Sequence, residues 1–251
     1  MPQIPVKYVL WDYGNTLMLD PFPEVLEKIA PKCAKELGKT GQQISEKRFI
    51  EAWRSANLRI NYLHCTHFAQ EEPILADALR SLGVTPAGIM MLAPKILQIY
   101  RAELEAHIKN EPRNKEIREV LDWINRKGFV QGLFSDDRFW DLRASIGWMN
   151  IDKFFSGIVV SDEIGIEKPD PKIFDRLLGM LEAEPKDCAY IGDNPLRDVE
   201  CAKKKGMFTI LYKRPMEEST PWRDYKINPK FLPDAKITSL ADLKNILVLK
   251  S

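Results

Sequence analysis

Beyond Pro112 the chain alternates short apolar runs with amphipathic helical stretches, and this alternation restricts the possible folds more than any other feature. The runs at 129–134, 157–160, 188–191 and 207–211 are mostly apolar from end to end, as strands covered on both faces require. Helical stretches are expected at 115–126, 139–147, 171–181 and 195–205, the first stopping near Gly128. Strands that alternate with helices in this way form a parallel sheet with helices on both faces. A run of the same kind opens the chain at residues 6–11 and stops at Asp12-Tyr13-Gly14-Asn15. A short strand at 235–237 and a helix at 240–247 are expected to close the sheet domain. The segment 213–233, rich in proline and charge, reads as a surface excursion.

Between these parts the pattern changes. Helices are expected at 24–37, 45–63, 69–82 and 87–108, with no convincing strand among them. In the second, Phe49, Trp53, Ala56 and Ile60 fall on one face, and Ser45 can cap its start. Four helices in succession define a separate helical unit inserted into an α/β chain.

Composition narrows the function. With 251 residues and 45% hydrophobic content a core plus a smaller domain can be built. The formal net charge of +1 gives no electrostatic footprint for nucleic acid or an acidic membrane. Lys203-Lys204-Lys205 reads as the solvated end of a helix. The four cysteines, Cys33, Cys65, Cys188 and Cys201, form no CxxC pair and read as reduced thiols. Met1-Pro2-Gln3-Ile4-Pro5 has no basic segment leading into a long apolar one, and no run is long enough to span a bilayer. A cytoplasmic soluble protein is expected.

Four groups of residues fall at predicted carboxyl ends of strands, where open parallel sheets bind ligands. Asp12 precedes a glycine-containing turn through Thr16 and Leu17. It is either a nucleophile beside backbone N–H groups or a turn-forming aspartate. Ser135, followed by Asp136, either donates to a phosphate oxygen or caps the next helix. Lys168 precedes Pro169-Asp170-Pro171, so its approach is rigid. It either neutralises an anion or is an ordinary surface lysine. In Gly192-Asp193-Asn194-Pro195-Leu196-Arg197-Asp198, two carboxylates straddle a strand–loop–helix junction. They either face a hard cation or, as Asp193 or Asn194, cap the helix; the spacing favours the cation.

Together these groups resemble the four motifs of the haloacid dehalogenase-like superfamily, in its order and nearly over the whole chain. Asp12, Thr16 and Leu17 match the first motif, Ser135 the second, Lys168 the third, and Gly192, Asp193 and Asp198 the fourth. The resemblance implies a Rossmann-like parallel-sheet core (1–17 and 110–251) and an all-helical cap of the first insertion class (18–109), with hinges near 17–21 and 107–114. It implies a Mg²⁺-dependent phosphatase acting on a small phosphorylated metabolite. Asp12 attacks phosphorus; Asp12, the Gly14 carbonyl, Asp193 and Asp198 hold or orient the metal. Gly14, Asn15, Thr16, Ser135, Asp136 and Lys168 surround the phosphate.

One position departs from the pattern. Gly14 stands where such phosphatases usually carry a second aspartate, the acid and base of the reaction. Alternatives on the same fold are a metal-independent haloacid dehalogenase, which has no use for Asp193 and Asp198, and a phosphonate hydrolase, which needs a marked cap lysine; Lys28, Lys39 and Lys47 show no such mark. From another class comes a non-catalytic phospho-ligand-binding protein. The cap holds all three histidines, His64, His67 and His107; one of the run 63–67 either meets the leaving group or is an exposed histidine at a helix end, the latter favoured, and Arg54, Arg59 and Tyr62 are further candidates for meeting the substrate.

Overall fold

The computed structural model describes residues 3–61, 71–136, 139–213 and 226–250. It divides into two compact units, residues 1–19 with 111–251, and residues 20–110.

The first unit is built on a six-stranded sheet. Strand β2 (Tyr8–Asp12) lies in its interior, between β3 (Val130–Ser135) and β5 (Cys188–Gly192). The sheet continues to β4 (Gly157–Val160) on one side and to β6 (Phe208–Tyr212) and β7 (Ala235–Ile237) on the other. All five pairings are parallel. Val9, Leu10 and Trp11 are wholly buried, as a strand covered on both faces must be. Trp11 Nε1 donates to Gln131 Oε1 at 2.9 Å, and Gln131 Nε2 donates to Leu121 O and Asn125 Oδ1, so this buried polar pair is satisfied.

Helices α5 (Arg113–Arg126), α6 (Phe139–Met149), α7 (Ser161–Ile164) and α8 (Ile173–Leu181) connect the strands. Two strand glycines have a packing reason. A Cβ on Gly132 would lie 2.9 Å from Leu10 and Leu181 side-chain atoms, and one on Gly157 would lie 3.0 Å from Leu177. Both bring α8 against the sheet.

The structure corrects the sequence reading at both ends of this unit. The run at 6–11 is broken at Lys7. Strand β1 (Ile4–Val6) pairs instead with β8 (Leu247–Leu249) in a separate two-stranded sheet. The helix expected at 240–247 is a 3₁₀ turn, Leu240–Asn245, started by a Ser239/Asp242 capping box and succeeded by β8. With Leu247 drawn into the ladder the segment stops short of the expected length, and short pieces of this kind favour 3₁₀ geometry. The helix expected at 195–205 is π-helical over Pro195–Glu200 and becomes α9 only at Cys201–Lys205.

The second unit is helical: α1 (Phe22–Gly38), α2 (Glu46–Asn61), α3 (Glu71–Ser81) and α4 (Pro86–Asn110). Its core gathers aromatic rings around Trp53, with Phe22, Phe49 and Tyr100 centroids at 6.1, 5.6 and 5.3 Å. Phe49, Trp53 and Ala56 are buried, whereas Ile60, on the same face near the end of α2, is 38% exposed. Cys33, Cys188 and Cys201 are buried free thiols, which burial pushes up to about 12; Cys65 lies outside the described residues. Among the described residues no helix is long and apolar enough to cross a membrane.

Candidate active site

Asp12 is the last residue of β2, and the turn after it is tightly closed. The Tyr13 carbonyl accepts the N–H groups of Thr16, Leu17 and Met18 at 3.3, 2.9 and 3.0 Å. Asn15 adopts a left-handed conformation (φ 58°), which asparagine tolerates better than most residues. Tyr13 is buried, and its hydroxyl donates to Ser145 Oγ at 2.7 Å, fixing the turn to α6. Thr16 Oγ1 donates back to Asp12 Oδ2 at 2.8 Å.

The second oxygen of Asp12 belongs to Lys168. Its Nζ donates to Asp12 Oδ1 at 2.6 Å and to Asp198 Oδ1 at 2.8 Å, and lies 3.3 Å from the Tyr190 hydroxyl. The residue is 4% exposed, so the surface-lysine alternative fails. Burial works against its charge, but Asp12 and Asp198 outweigh that and hold it well above the usual lysine range.

The segment after β5 supplies the remaining carboxylates. Asn194, rather than Asp193, caps the π-helical turn, its Oδ1 accepting from Leu196 N and Arg197 N, both at 3.0 Å. Asp193 is thereby left to the cluster. One side-chain oxygen each from Asp12, Asp193 and Asp198 lies within 4.8 Å of the others. Asp198 Oδ2 accepts from Asn194 N at 2.8 Å. Gly192 explains itself here: a Cβ would sit 2.4 Å from the Asp198 carboxyl. Burial pushes the Asp12 carboxyl up to about 7, Asp198 adding to the rise and Lys168 opposing it.

Ser135 closes β3 at 3% exposure, beside Val160 of β4. The next helix starts at Phe139, so Ser135 does not stand directly before it. Asp136 turns its carboxylate inward: Ser161 Oγ (2.5 Å) and Lys168 N (3.2 Å) donate to Oδ1, and Arg197 Nη2 (2.7 Å) donates to Oδ2. Burial would raise the Asp136 pKa, but Lys168 and Arg197 hold it below the usual carboxylate range. Among the described residues, no heavy atom beyond Gly14 and its chain neighbours lies within 4 Å of where a Cβ on Gly14 would be.

Arg197, Ser161 and Tyr190 contact Asp136 or Lys168, although the motifs did not single them out. Arg197 stands between Asp193 and Asp198 in sequence, which is the one signal it gave. His107 lies in the helical unit, its ring 3.4 Å from Lys28 Nζ and 3.8 Å from Glu24. Arg54 and Arg59 pair there with Glu27 and Asp77. Lys39 and Lys47 pair with Glu36 and Glu51, neighbours on their own helical turns. Tyr62, His64 and His67 lie outside the described residues.

The site thus consists of a buried carboxylate at the end of a central parallel strand, an ammonium bonded to it and two further acids beside it. A family model for haloacid dehalogenase-like hydrolases matches residues 34–212, a stretch holding Ser135, Lys168, Asp193 and Asp198. The chain belongs to the haloacid dehalogenase-like hydrolase family. It is 25% identical over 247 residues to the glyceraldehyde 3-phosphate phosphatase of Methanopyrus kandleri, covering 96% of this chain and 97% of that one. Its fold is shared with a HAD phosphatase from Thermococcus onnurineus (TM-score 0.64, 20% identity, 96% and 97% coverage). A 2-haloacid dehalogenase from Pseudomonas syringae pv. Tomato gives the same TM-score, identity and coverage, so the fold alone does not separate the two chemistries.

Proposed function

We propose that the chain is a Mg²⁺-dependent phosphatase of a small phosphorylated metabolite, working through an aspartyl-phosphate on Asp12. The observation that carries this reading is the grouping of Asp12, Asp193 and Asp198 oxygens within 4.8 Å. Carboxylate oxygens are hard donors suited to Mg²⁺, and Lys168 offsets only part of their charge. When bound, a divalent cation at Asp12, Asp193, Asp198 and the Gly14 carbonyl would neutralise charge on the phosphoryl group.

The chain's own residues then divide the work. Asp12 attacks phosphorus through one carboxylate oxygen; the new O–P bond forms as the ester P–O bond breaks, and the departing oxygen leaves as the alcohol with a proton taken from water. Lys168 holds that carboxylate in place and, by turning toward the substrate the proton it directs at the Tyr190 hydroxyl, donates with Ser135 to the phosphoryl oxygens, while Asn15 and Thr16 shape the turn beside them. Water then attacks phosphorus, the Asp12 O–P bond breaks, and inorganic phosphate leaves with the Asp12 carboxylate restored. The Asp136 carboxylate, already committed to Ser161, Lys168 and Arg197, serves as a support while its backbone borders the phosphate. The division into a core (1–17 with 110–251) and a substrate-selecting helical cap (18–109) belongs to the same proposal. So does the absence of nucleic-acid or membrane partners, with the cytoplasm as the site of action.

The phosphatase relative that spans nearly the whole chain supports attack on phosphorus over displacement of halide from carbon. The acids at 193 and 198 point the same way, since carbon–halogen displacement has no need of them. The test is phosphate release from a panel of phosphorylated three- to six-carbon metabolites and an aryl phosphate, with Mg²⁺ and with chelator. Mg²⁺-dependent phosphate release is expected. Metal-independent halide release from a 2-haloacid, with no phosphate released, would replace this reading by the dehalogenase one.

A further inference from the structure

Four separate segments meet at the Asp136 carboxylate: the end of β3, the start of α7, the Lys168 loop and the π-helical turn. Its Oδ1 accepts from Ser161 Oγ and the Lys168 backbone N–H, and its Oδ2 accepts from Arg197 Nη2 at 2.7 Å. The Lys168 ammonium stands 3.6 Å from that same Oδ2, against 2.6 Å from Asp12 and 2.8 Å from Asp198. Asp136 is therefore a third anionic neighbour of an ammonium that the proposed chemistry needs on Asp12.

We propose that Arg197 is a positioning residue: by occupying Asp136 Oδ2 it keeps Asp136 from drawing Lys168 away from Asp12. The physical reason is competition in a buried site. An ammonium has three protons, and Asp12, Asp198 and the Tyr190 hydroxyl take them. Without Arg197, Asp136 Oδ2 would be a largely buried carboxylate oxygen lacking its donor, and a buried charge without a partner is strongly unfavourable. The nearest cation is Lys168, which would need to move by about one ångström. Arg197 also lies next to Asp198, so the same pair ties the turn bearing the acids to the strand end bearing Ser135. The guanidinium has other anions nearby, Asp198 and Glu167, beyond Asp136, which is its hydrogen-bond partner.

The sharing of Asp136 Oδ2 by Arg197 and Lys168 sets the test, which rests on the phosphatase reading for its kinetic arm only. With an aryl phosphate and saturating Mg²⁺, Arg197→Met is expected to lower kcat about 10–100-fold with KM little changed, as loss of a supporting partner does. Asp136→Asn keeps the oxygen that Ser161 and the Lys168 N–H use, and a smaller loss is expected. The double variant is expected to regain most of what Arg197→Met loses, and Arg197→Lys to retain most activity. A double variant no better than Arg197→Met, or a loss seen in KM alone, would overturn the proposal. The second arm is a crystal structure of Arg197→Met, independent of turnover. Lys168 Nζ should lie closer to Asp136 than to Asp12; an unmoved Lys168 overturns the inference while leaving the phosphatase reading intact. If Arg197→Met does not fold, Arg197→Gln takes its place in both arms with the same expectations.

Discussion

Lys168 Nζ donates to Asp12 Oδ1 at 2.6 Å across 156 residues of sequence, and both side chains are almost fully buried. Such a pair is intolerant of losing one member, because the survivor is a buried charge without a partner. Lys168→Met should destabilise the fold by about 3–5 kcal/mol. It should also lower kcat by about 10²–10³-fold, the scale for removing a donor from a developing oxyanion. Thermal unfolding and steady-state kinetics on an aryl phosphate check the two effects; a variant of unchanged stability and turnover contradicts the assignment.

Gly192 has no room for a side chain, since a Cβ would lie 2.4 Å from the Asp198 carboxyl. Gly192→Ala should displace Asp198 and cost about 1–3 kcal/mol in overpacking. The Mg²⁺ concentration for half-maximal activity should rise at the same time. An unchanged metal requirement would show that Asp198 takes no part in the cation site.

The raised Asp12 pKa gives a sign for the pH dependence of the metal-free protein. A carboxyl whose folded pKa is raised from 3.8 to about 7 contributes stability that is present below 3.8 and lost as pH climbs through about 7. Asp136, held low, changes only at more acid pH. The metal-free Tm should therefore fall between pH 5 and pH 8 on account of Asp12, and Asp12→Asn should flatten that fall. Mg²⁺ should raise Tm more at pH 8 than at pH 5, because at pH 5 it competes with a proton. Differential scanning calorimetry at both pH values decides.

The sheet was legible because its strands are almost unbroken apolar runs, and the site because its polar residues end those runs. Val9, Leu10 and Trp11 announced a strand buried on both faces, and Asp12 marked its end. The break at Lys7 was not legible: Lys7 sits between Val6 and Tyr8 like any exposed strand residue, and only the pairing of β1 with β8 separates them. Leu240–Asn245 carries a helix-like start in its capping box, yet its continuation is decided by a ladder with the other end of the chain. The Arg197–Asp136 pair spans 61 residues and obeys no local period, so nothing in either segment foretold it. Lys168 shows the reverse case. Lysines are seldom buried, and only its place in an ordered set of motifs marked it.

Gly14 leaves space where a proton donor would stand. General acid assistance is typically worth ~10²–10⁴-fold, more for poor leaving groups than for good ones. Turnover plotted against leaving-group pKa should fall steeply for the wild type, and Gly14→Asp should flatten the slope. A wild-type profile already flat would mean that another group protonates the leaving oxygen; replacing His64 and His67 together then tests the two cap histidines for that role.

A covalent bond from Asp12 to phosphorus is tested most directly by mass spectrometry of enzyme acid-quenched during turnover of an aryl phosphate with Mg²⁺. A phosphate adduct is predicted on the peptide carrying Asp12, absent with chelator and absent in Asp12→Asn, which should also be inactive. Wild-type turnover by Asp12→Asn, or an adduct confined to another residue, would contradict the account.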